Sequence, residues 1–356
     1  MRVLRPSADD LAAAVAAGVI DRGAADRLRA FLTRDEEAPS PLDAADREDV
    51  RFVRGFHDVF MSFGLAAVLI GFRLAVMAVV PESAHAAAFA LGAGGIWALA
   101  EIFARRQRLV LPSIVLALGF VTYAVTAAAF ALGAFADAPG GATFFAVAGV
   151  GLAAAVAFRL RFRLPFSSLL IAGGVIGLGL AALETVAPGS VEAHWDGLLL
   201  GLGLAVFAVA MRYDLKDPSR TTLAADHAFW LHLLAAPMIV HALLSFAVAE
   251  PSAPTGPEAG LVVAIMLALA LVALAIDRRA LLMSGLIYFG AAIGVLVAQT
   301  DIDPGAIFAL TLVLLGGFVV TLGAGWRPAR RLVLAALPAR ARAVLPPVRP
   351  GFQGQS

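Results

Sequence analysis

The chain has 356 residues, 61% of them apolar and 15% charged, with 27 basic side chains against 26 acidic ones and no cysteine. Soluble domains run nearer about 45–50% apolar and about 25% charged, so an ordinary soluble enzyme, a disordered chain and a nucleic-acid-binding module are excluded. A net charge of +1 steers nothing toward polyanions, and the lack of cysteine removes disulfides, thiolate metal ligands and thiol nucleophiles.

Residues 1–34 read as a cytoplasmic two-helix leader. Ser7 and Asp10 have capping-box spacing ahead of the apolar run from Leu11 to Ala17, and Gly18 is placed to end that helix. A second helix is expected from about Arg22 to Thr33. Two short helices cannot build a large core of their own and must pack on each other, the membrane or a partner. Residues 35–56 form an acidic, proline-bearing linker and, from Ser40-Pro41 onward, a helix entering the membrane. The first twenty residues hold no long apolar stretch, so the expectation is no cleaved signal peptide, with the first span acting as the insertion signal.

A helix needs about 20 mostly apolar residues to cross about 30 Å of hydrocarbon. Residues 57–325 hold ten such windows, near 58–80, 84–104, 110–133, 141–158, 166–186, 195–212, 225–248, 259–276, 280–299 and 304–324. Proline, glycine and charged residues punctuate them. Runs such as Leu198 to Ala210 are apolar on every face, which selects helices over the alternating strands of a barrel. The predicted fold class is therefore all-α, a polytopic membrane protein of about ten transmembrane helices. Residues 326–356 form a basic tail. There Arg327, Arg330, Arg331, Arg340 and Arg342 surround Leu332-Val333-Leu334, suiting an amphipathic helix on anionic inner-leaflet lipids.

The charges are sorted along the chain. Nine basic residues precede span one, the turns after spans two, four, six and eight carry three, three, three and two, and the tail carries six. The turns after the odd-numbered spans and their flanks carry none, only acids such as Glu82, Asp137, Glu192 and Asp301. Because insertion retains Arg and Lys in the cytoplasm, both termini are expected inside. Tyr213 and Trp326 then belong at the inner interface and Trp195 at the outer one. One lysine against 26 arginines, with abundant alanine, points to a GC-rich bacterial genome.

Ionisable groups inside spans are functional hypotheses by default. Arg73, in span one, is either a substrate cation or partner of an acid such as Glu184, or a side chain that snorkels to the outer surface or follows a span ending near Phe72. Glu101 is explained by an i,i+4 pair with Arg105. Span seven is the most polar, with Asp226, His227, His232, Pro237 and His241. At 100° per residue His227, Trp230, Leu234 and His241 share a stripe and His232 points elsewhere. A kinked helix with titratable groups suits a proton relay or gate. The alternative is that Asp226 and His227 cap and anchor the helix while the other histidines bond to carbonyls. A second cluster, Arg51, Arg54, His57 and Asp58, lies at the same predicted face as Arg220, Asp226 and His227. The two could form a cytoplasmic mouth or ion-pair network, or be solvated interface charges. No metal motif, nucleophile elbow or phosphate loop occurs, so no metal, cofactor or catalytic residue is assigned; a haem held by His57 and His227 is the weakest alternative. The pairs Gly173/Gly177, Gly197/Gly201 and Gly290/Gly294 have helix-packing spacing.

Arg220-Thr221-Thr222 with Asp226-His227-Ala228-Phe229-Trp230-Leu231-His232 through Pro237, Trp326-Arg327-Pro328 with Arg331, and Phe52-Val53-Arg54-Gly55-Phe56-His57-Asp58 resemble a group of uncharacterised polytopic inner-membrane proteins of proteobacteria. The resemblance implies a membrane location and carries no activity. Ten short-looped spans dividing as five plus five also resemble, in topology alone, the drug/metabolite transporters, whose halves are inverted repeats. The first functional expectation is a non-enzymatic structural, regulatory or envelope-related protein. The second is a secondary transporter of a small solute with a polar site near span seven. An enzyme acting on lipid would need a carboxylate or histidine cluster open to one leaflet.

Overall fold

Long apolar stretches become helices because hydrocarbon offers no partner for backbone N–H and C=O groups. The computed structural model describes residues 8–28, 56–135, 140–217, 222–248, 254–300, 303–339, 342 and 345, without the side chains of 8, 9, 10, 12, 280 and 281. Among the described residues every regular element is helical. The chain divides into two units, Met1–Val50 with Arg349–Ser356, and Arg51–Val348.

The first unit contains α1 (Ala8–Ala16) and α2 (22–28). Gly18 at φ 72° ends α1 as anticipated: Gly18 N–H donates to Val15 and Val19 N–H to Ala14, the paired bonds of a Schellman cap. Asp21 accepts the N–H of Ala24 at 2.7 Å and starts α2. Ser7 and the side chain of Asp10, expected to form the capping box, lie outside the described residues.

The second unit contains the spans: α3 (Phe56–Val79), α4 (Glu82–Ala100), α5 (Val110–Ala131), α6 (Gly141–Phe162), α7 (Ser167–Val186), α8 (Trp195–Lys216), α9 (Leu223–Ala247), α10 (Gly256–Ile276), α11 (Ala280–Ala298) and α12 (Pro304–Ala324). Nine of them are long and apolar enough to cross a membrane among the described residues; in α11 the apolar stretch that qualifies is the shorter Leu282–Ala298. The protein is an all-α polytopic membrane protein. A further helix, α13 (Trp326–Ala336), follows α12 after Gly325.

The ends are built from local chemistry. Thr255 and Glu258 close a capping box on α10, and Asp303 accepts the Gly305 N–H at 2.8 Å to start α12 with Pro304 in its first turn. Two of the ends that differ from expectation bear on the site. The Arg105–Arg108 break is partly helical, because α4 continues as a π-helical turn over Glu101–Arg106. α8 runs to Lys216, four residues beyond the predicted 212, which brings Asp214 into the bundle.

Adjacent helices pair within each half: α4 with α5, α5 with α6 and α6 with α7, then α8 with α9 and α10 with α11. α3 packs chiefly on α5, whereas in the second half α9 reaches across to α11, so the dominant pairings of the halves differ. α9 also packs on α7 of the first half. It is the central helix: 50% of its most apolar window is buried, against 6% for α7 and 0% for α12.

Candidate functional site

The polar contacts concentrate where the C-terminal ends of α4, α6, α8 and α10 meet the N-terminal ends of α7, α9 and α13. This is the end of the bundle that carries the basic turns. Along α8, Gly203, Val206, Ala210 and Asp214 follow helical spacing and form one buried edge. The last of these places a carboxylate 3% exposed against α10.

α10 ends at Asp277, a non-glycine residue in the left-handed region (φ 59°). The reversal sends Arg278 back into the bundle. Its Nη2 donates to Oδ1 of Asp214, its Nε donates to Oδ2 at 3.1 Å, and the guanidinium also reaches the Ala225 carbonyl at 3.5 Å. From α9, His232 Nε2 donates to Oδ2 of the same carboxylate at 2.9 Å. His232 and Arg278 are 1% and 4% exposed. One carboxylate thus joins three helices through a two-pronged arginine contact and a histidine bond.

The residues on either side of Arg278 face the tail helix. Asp277 Oδ1 accepts the Trp326 indole N–H at 2.8 Å and lies 3.7 Å from Arg330 Nε. Arg330 donates to the Leu274 carbonyl at 3.1 Å, and the Arg279 guanidinium sits 5.0 Å from the Trp326 ring. Trp326, expected at the inner membrane interface, is buried against the bundle, where Asp277 accepts its N–H.

The other candidates separate. His227 Nδ1 lies 3.0 Å from Ser168 Oγ on α7; the serine hydroxyl donates to the Pro165 carbonyl, so the ring N–H donates to the serine oxygen. The Tyr213 ring is 5.7 Å from His227. His241 Nδ1 meets the Tyr288 hydroxyl on α11 at 2.8 Å. The predicted stripe therefore meets α7 at one end and α11 at the other, while His232, off the stripe, holds the most buried charge cluster. Both deeper histidines bond side chains of other helices rather than carbonyls. Asp226 is half-buried in the first turn of α9.

On α3, His57 is exposed, Asp58 is buried, and the Asp58 carbonyl accepts the Ser62 hydroxyl at 2.7 Å. Arg73 is exposed. Its suggested partner Glu184 accepts the N–H groups of Gly189 at 2.6 Å and Val191 at 3.3 Å, closing the turn after its own helix instead. Arg51, Arg54 and Arg220, and with them the proposed mouth, lie outside the described residues. Glu101 pairs with Arg105 at 3.4 Å as expected, but its stronger partner is Arg161 of α6, at 2.7 and 2.9 Å.

Asp214, Arg278, Ser168 and Tyr288 were not anticipated. Arg278 counts among the turn charges and Asp214 falls past the predicted span end at 212; carrying the helical period of α8 four residues past 210 would have put Asp214 on the buried edge. Among the described residues no group of three His, Asp or Glu side chains could hold a metal ion. A groove of about 460 Å³ opens beside α4 and α5, lined by small apolar residues such as Ala86, Ala90, Gly94, Ala124 and Ala128. None of the candidate polar residues lines it. Comparisons with protein-family models, curated proteins and solved structures find no match to the chain.

Proposed function

We propose that the protein is a bacterial inner-membrane protein with both termini in the cytoplasm and no enzymatic activity of its own, serving a structural or regulatory role in the envelope. The observation that carries this reading is the closure of the Asp214–His232–Arg278 cluster. Both carboxylate oxygens already accept bonds, from Arg278 in the turn after α10 and from His232 of α9, and all three side chains are almost wholly buried. A reacting carboxylate needs access to a substrate; this one has the geometry of a helix clamp. The sorted basic turns support the inward termini.

The test is to reconstitute the purified protein in vesicles and to compare Asp214→Asn with the parent. The expected result is a lower unfolding temperature for the variant and no solute-driven flux from either. Solute-dependent flux by the parent would overturn the reading.

A second reading, a secondary transporter, is favoured by one specific observation. α9, the central helix, carries His232 and His241 on either side of Pro237, each bonded to a side chain of another helix. Intramembrane histidines so placed can carry protons. Its test is internal pH, read with a trapped dye, under an imposed pH gradient with amino acids, sugars and organic cations added in turn. A solute-stimulated pH change lost in His232→Gln and His241→Gln would establish it.

A further inference from the structure

We propose that α13 is an anionic-phospholipid-binding helix, fixed in rotation on the end of the bundle so that one flank meets headgroups and the other meets acyl chains. The inference rests on membrane insertion alone and holds under either functional reading.

The rotation is fixed by three residues four apart. Trp326, Arg330 and Leu334 are 5%, 5% and 6% exposed and form the inward line of the helix. Asp277 accepts the Trp326 N–H and the Leu274 carbonyl accepts from Arg330, so the helix is bonded in place as well as packed. With the inward line set, helical geometry sets the rest. Counted from Arg330, the middle of that line, Arg327 and Arg331 project roughly 60–100° to one side, and Pro328, Leu332 and Ala336 lie roughly 160–240° around, on the face away from the bundle. All five are exposed, Leu332 at 74%. The outer surface is thus split into a basic flank and an apolar flank. A helix at the end of a membrane bundle satisfies both at once where phosphates lie above acyl chains.

The charge identifies the lipid. From Pro304 to Ser356 the sequence holds six arginines and no aspartate or glutamate. The nearby acid Asp277 is turned toward Trp326 and Arg330, and Arg279 adds a further cation beside the Trp326 ring. Guanidinium groups match phosphate oxygens in two-pronged geometry, and a net negative headgroup adds the attraction that a zwitterionic one lacks. The expected ligand is therefore an anionic phospholipid such as phosphatidylglycerol.

The chain has no cysteine, so a single label is straightforward. Leu332→Cys in the full chain, carrying an environment-sensitive fluorophore, is reconstituted in phosphatidylcholine vesicles with and without phosphatidylglycerol. Brominated acyl chains report contact with hydrocarbon and iodide reports contact with water. The label should be quenched by brominated chains and shielded from iodide when phosphatidylglycerol is present. Adding Arg327→Gln and Arg331→Gln should reduce the docked-to-undocked ratio by more than about tenfold, from two cations near an anionic surface. Raising salt on the singly labelled chain should weaken the phosphatidylglycerol effect without any arginine variant, which keeps the test valid if that variant folds poorly. A label open to iodide in both vesicles, or equal behaviour with and without phosphatidylglycerol, overturns the proposal and assigns the flank to water or to a protein partner.

Discussion

Helices α3–α7 and helices α8–α12 meet the same difficulty by different means. In a bilayer, burying apolar surface between helices gives little gain, because lipid tails are as apolar as leucine; association comes from close packing and from polar bonds. The first half relies on aromatic packing. Phe89 meets Tyr123 edge-on at 5.4 Å and stacks with Phe130 at 6.0 Å, while Trp97 packs against Phe120 and Phe162, both at 5.1 Å. Among the described residues its spans are also joined by the bond from the Tyr123 hydroxyl to the Leu69 carbonyl and by the more exposed Glu101–Arg161 pair. The second half has small residues along its core, such as Ala235, Ala236, Ala270, Ala273 and Ala292, and carries the buried cluster of Asp214, His232 and Arg278. Many weak contacts can fail one at a time. A buried ionic cluster fails as a unit, because losing one member strands the others.

The largest effect is expected where that difference is greatest. Arg278→Leu leaves the Asp214 carboxylate buried without its cation, a loss of about 3–5 kcal/mol. Little monodisperse protein should survive purification in detergent. Removing the charge on both sides, Asp214→Leu with Arg278→Leu, should recover most of the yield, since an apolar pair of similar volume can replace a buried ion pair. A stable single variant would break the contrast between the halves.

In the first half the matching test is Phe158→Ala, which empties a site 0% exposed. A soluble core would lose about 3–5 kcal/mol; here a loss of about 2 kcal/mol is expected, because the apolar surface released meets lipid rather than water. Thermal unfolding in one detergent should rank Arg278→Leu below Phe158→Ala, and the reverse order would show that packing dominates both halves.

Two substitutions sharpen the polar side. Trp326→Phe removes the indole donor to Asp277 and should lower stability by about 1 kcal/mol, with faster proteolysis of the tail helix as the local readout. Tyr288→Phe removes the bond to His241 at a loss of about 0.6 kcal/mol, the average for such bonds between spans. If Tyr288→Phe proved the more damaging, the polar weight of the second half would lie at mid-helix rather than at its basic end.

The ten helices were legible because span length and apolar composition are strong, local signals. Span windows and helix bounds agree within four residues, and Gly18 and Pro304 marked their ends correctly. The site was legible only in part. Span seven stood out, and His232 and His241 proved to be bonded across helices. Their partners did not stand out, because a charge one turn from a predicted span end looks the same whether it faces water or doubles back. Arg278 turns inward only because Asp277 takes the left-handed conformation, and apolar periodicity does not report backbone handedness. Nor did the burial of Trp326 stand out: a tryptophan at a span end suits lipid contact equally well, and only Asp277 across the turn draws it inward.

That left-handed conformation gives the finest comparison. Arg163 closes α6 in the first half at φ 54°, and Asp277 closes α10 in the second at φ 59°. The backbone strain of the two is similar, about 1–2 kcal/mol for a residue with a Cβ. The Arg163 side chain is exposed, so Arg163→Gly should relieve strain at little other loss. After the added entropy of glycine in the unfolded chain, a gain of about 0.5–1 kcal/mol is expected, read as a higher unfolding temperature. Asp277→Gly gains the same relief but removes the acceptor of Trp326 and the carboxylate beside Arg330, about 1 kcal/mol or more, so no net gain should appear. Equal shifts from the two substitutions would mean that the Asp277 side chain contributes nothing to holding α13. Opposite shifts would measure that contribution directly, with the backbone effect cancelled.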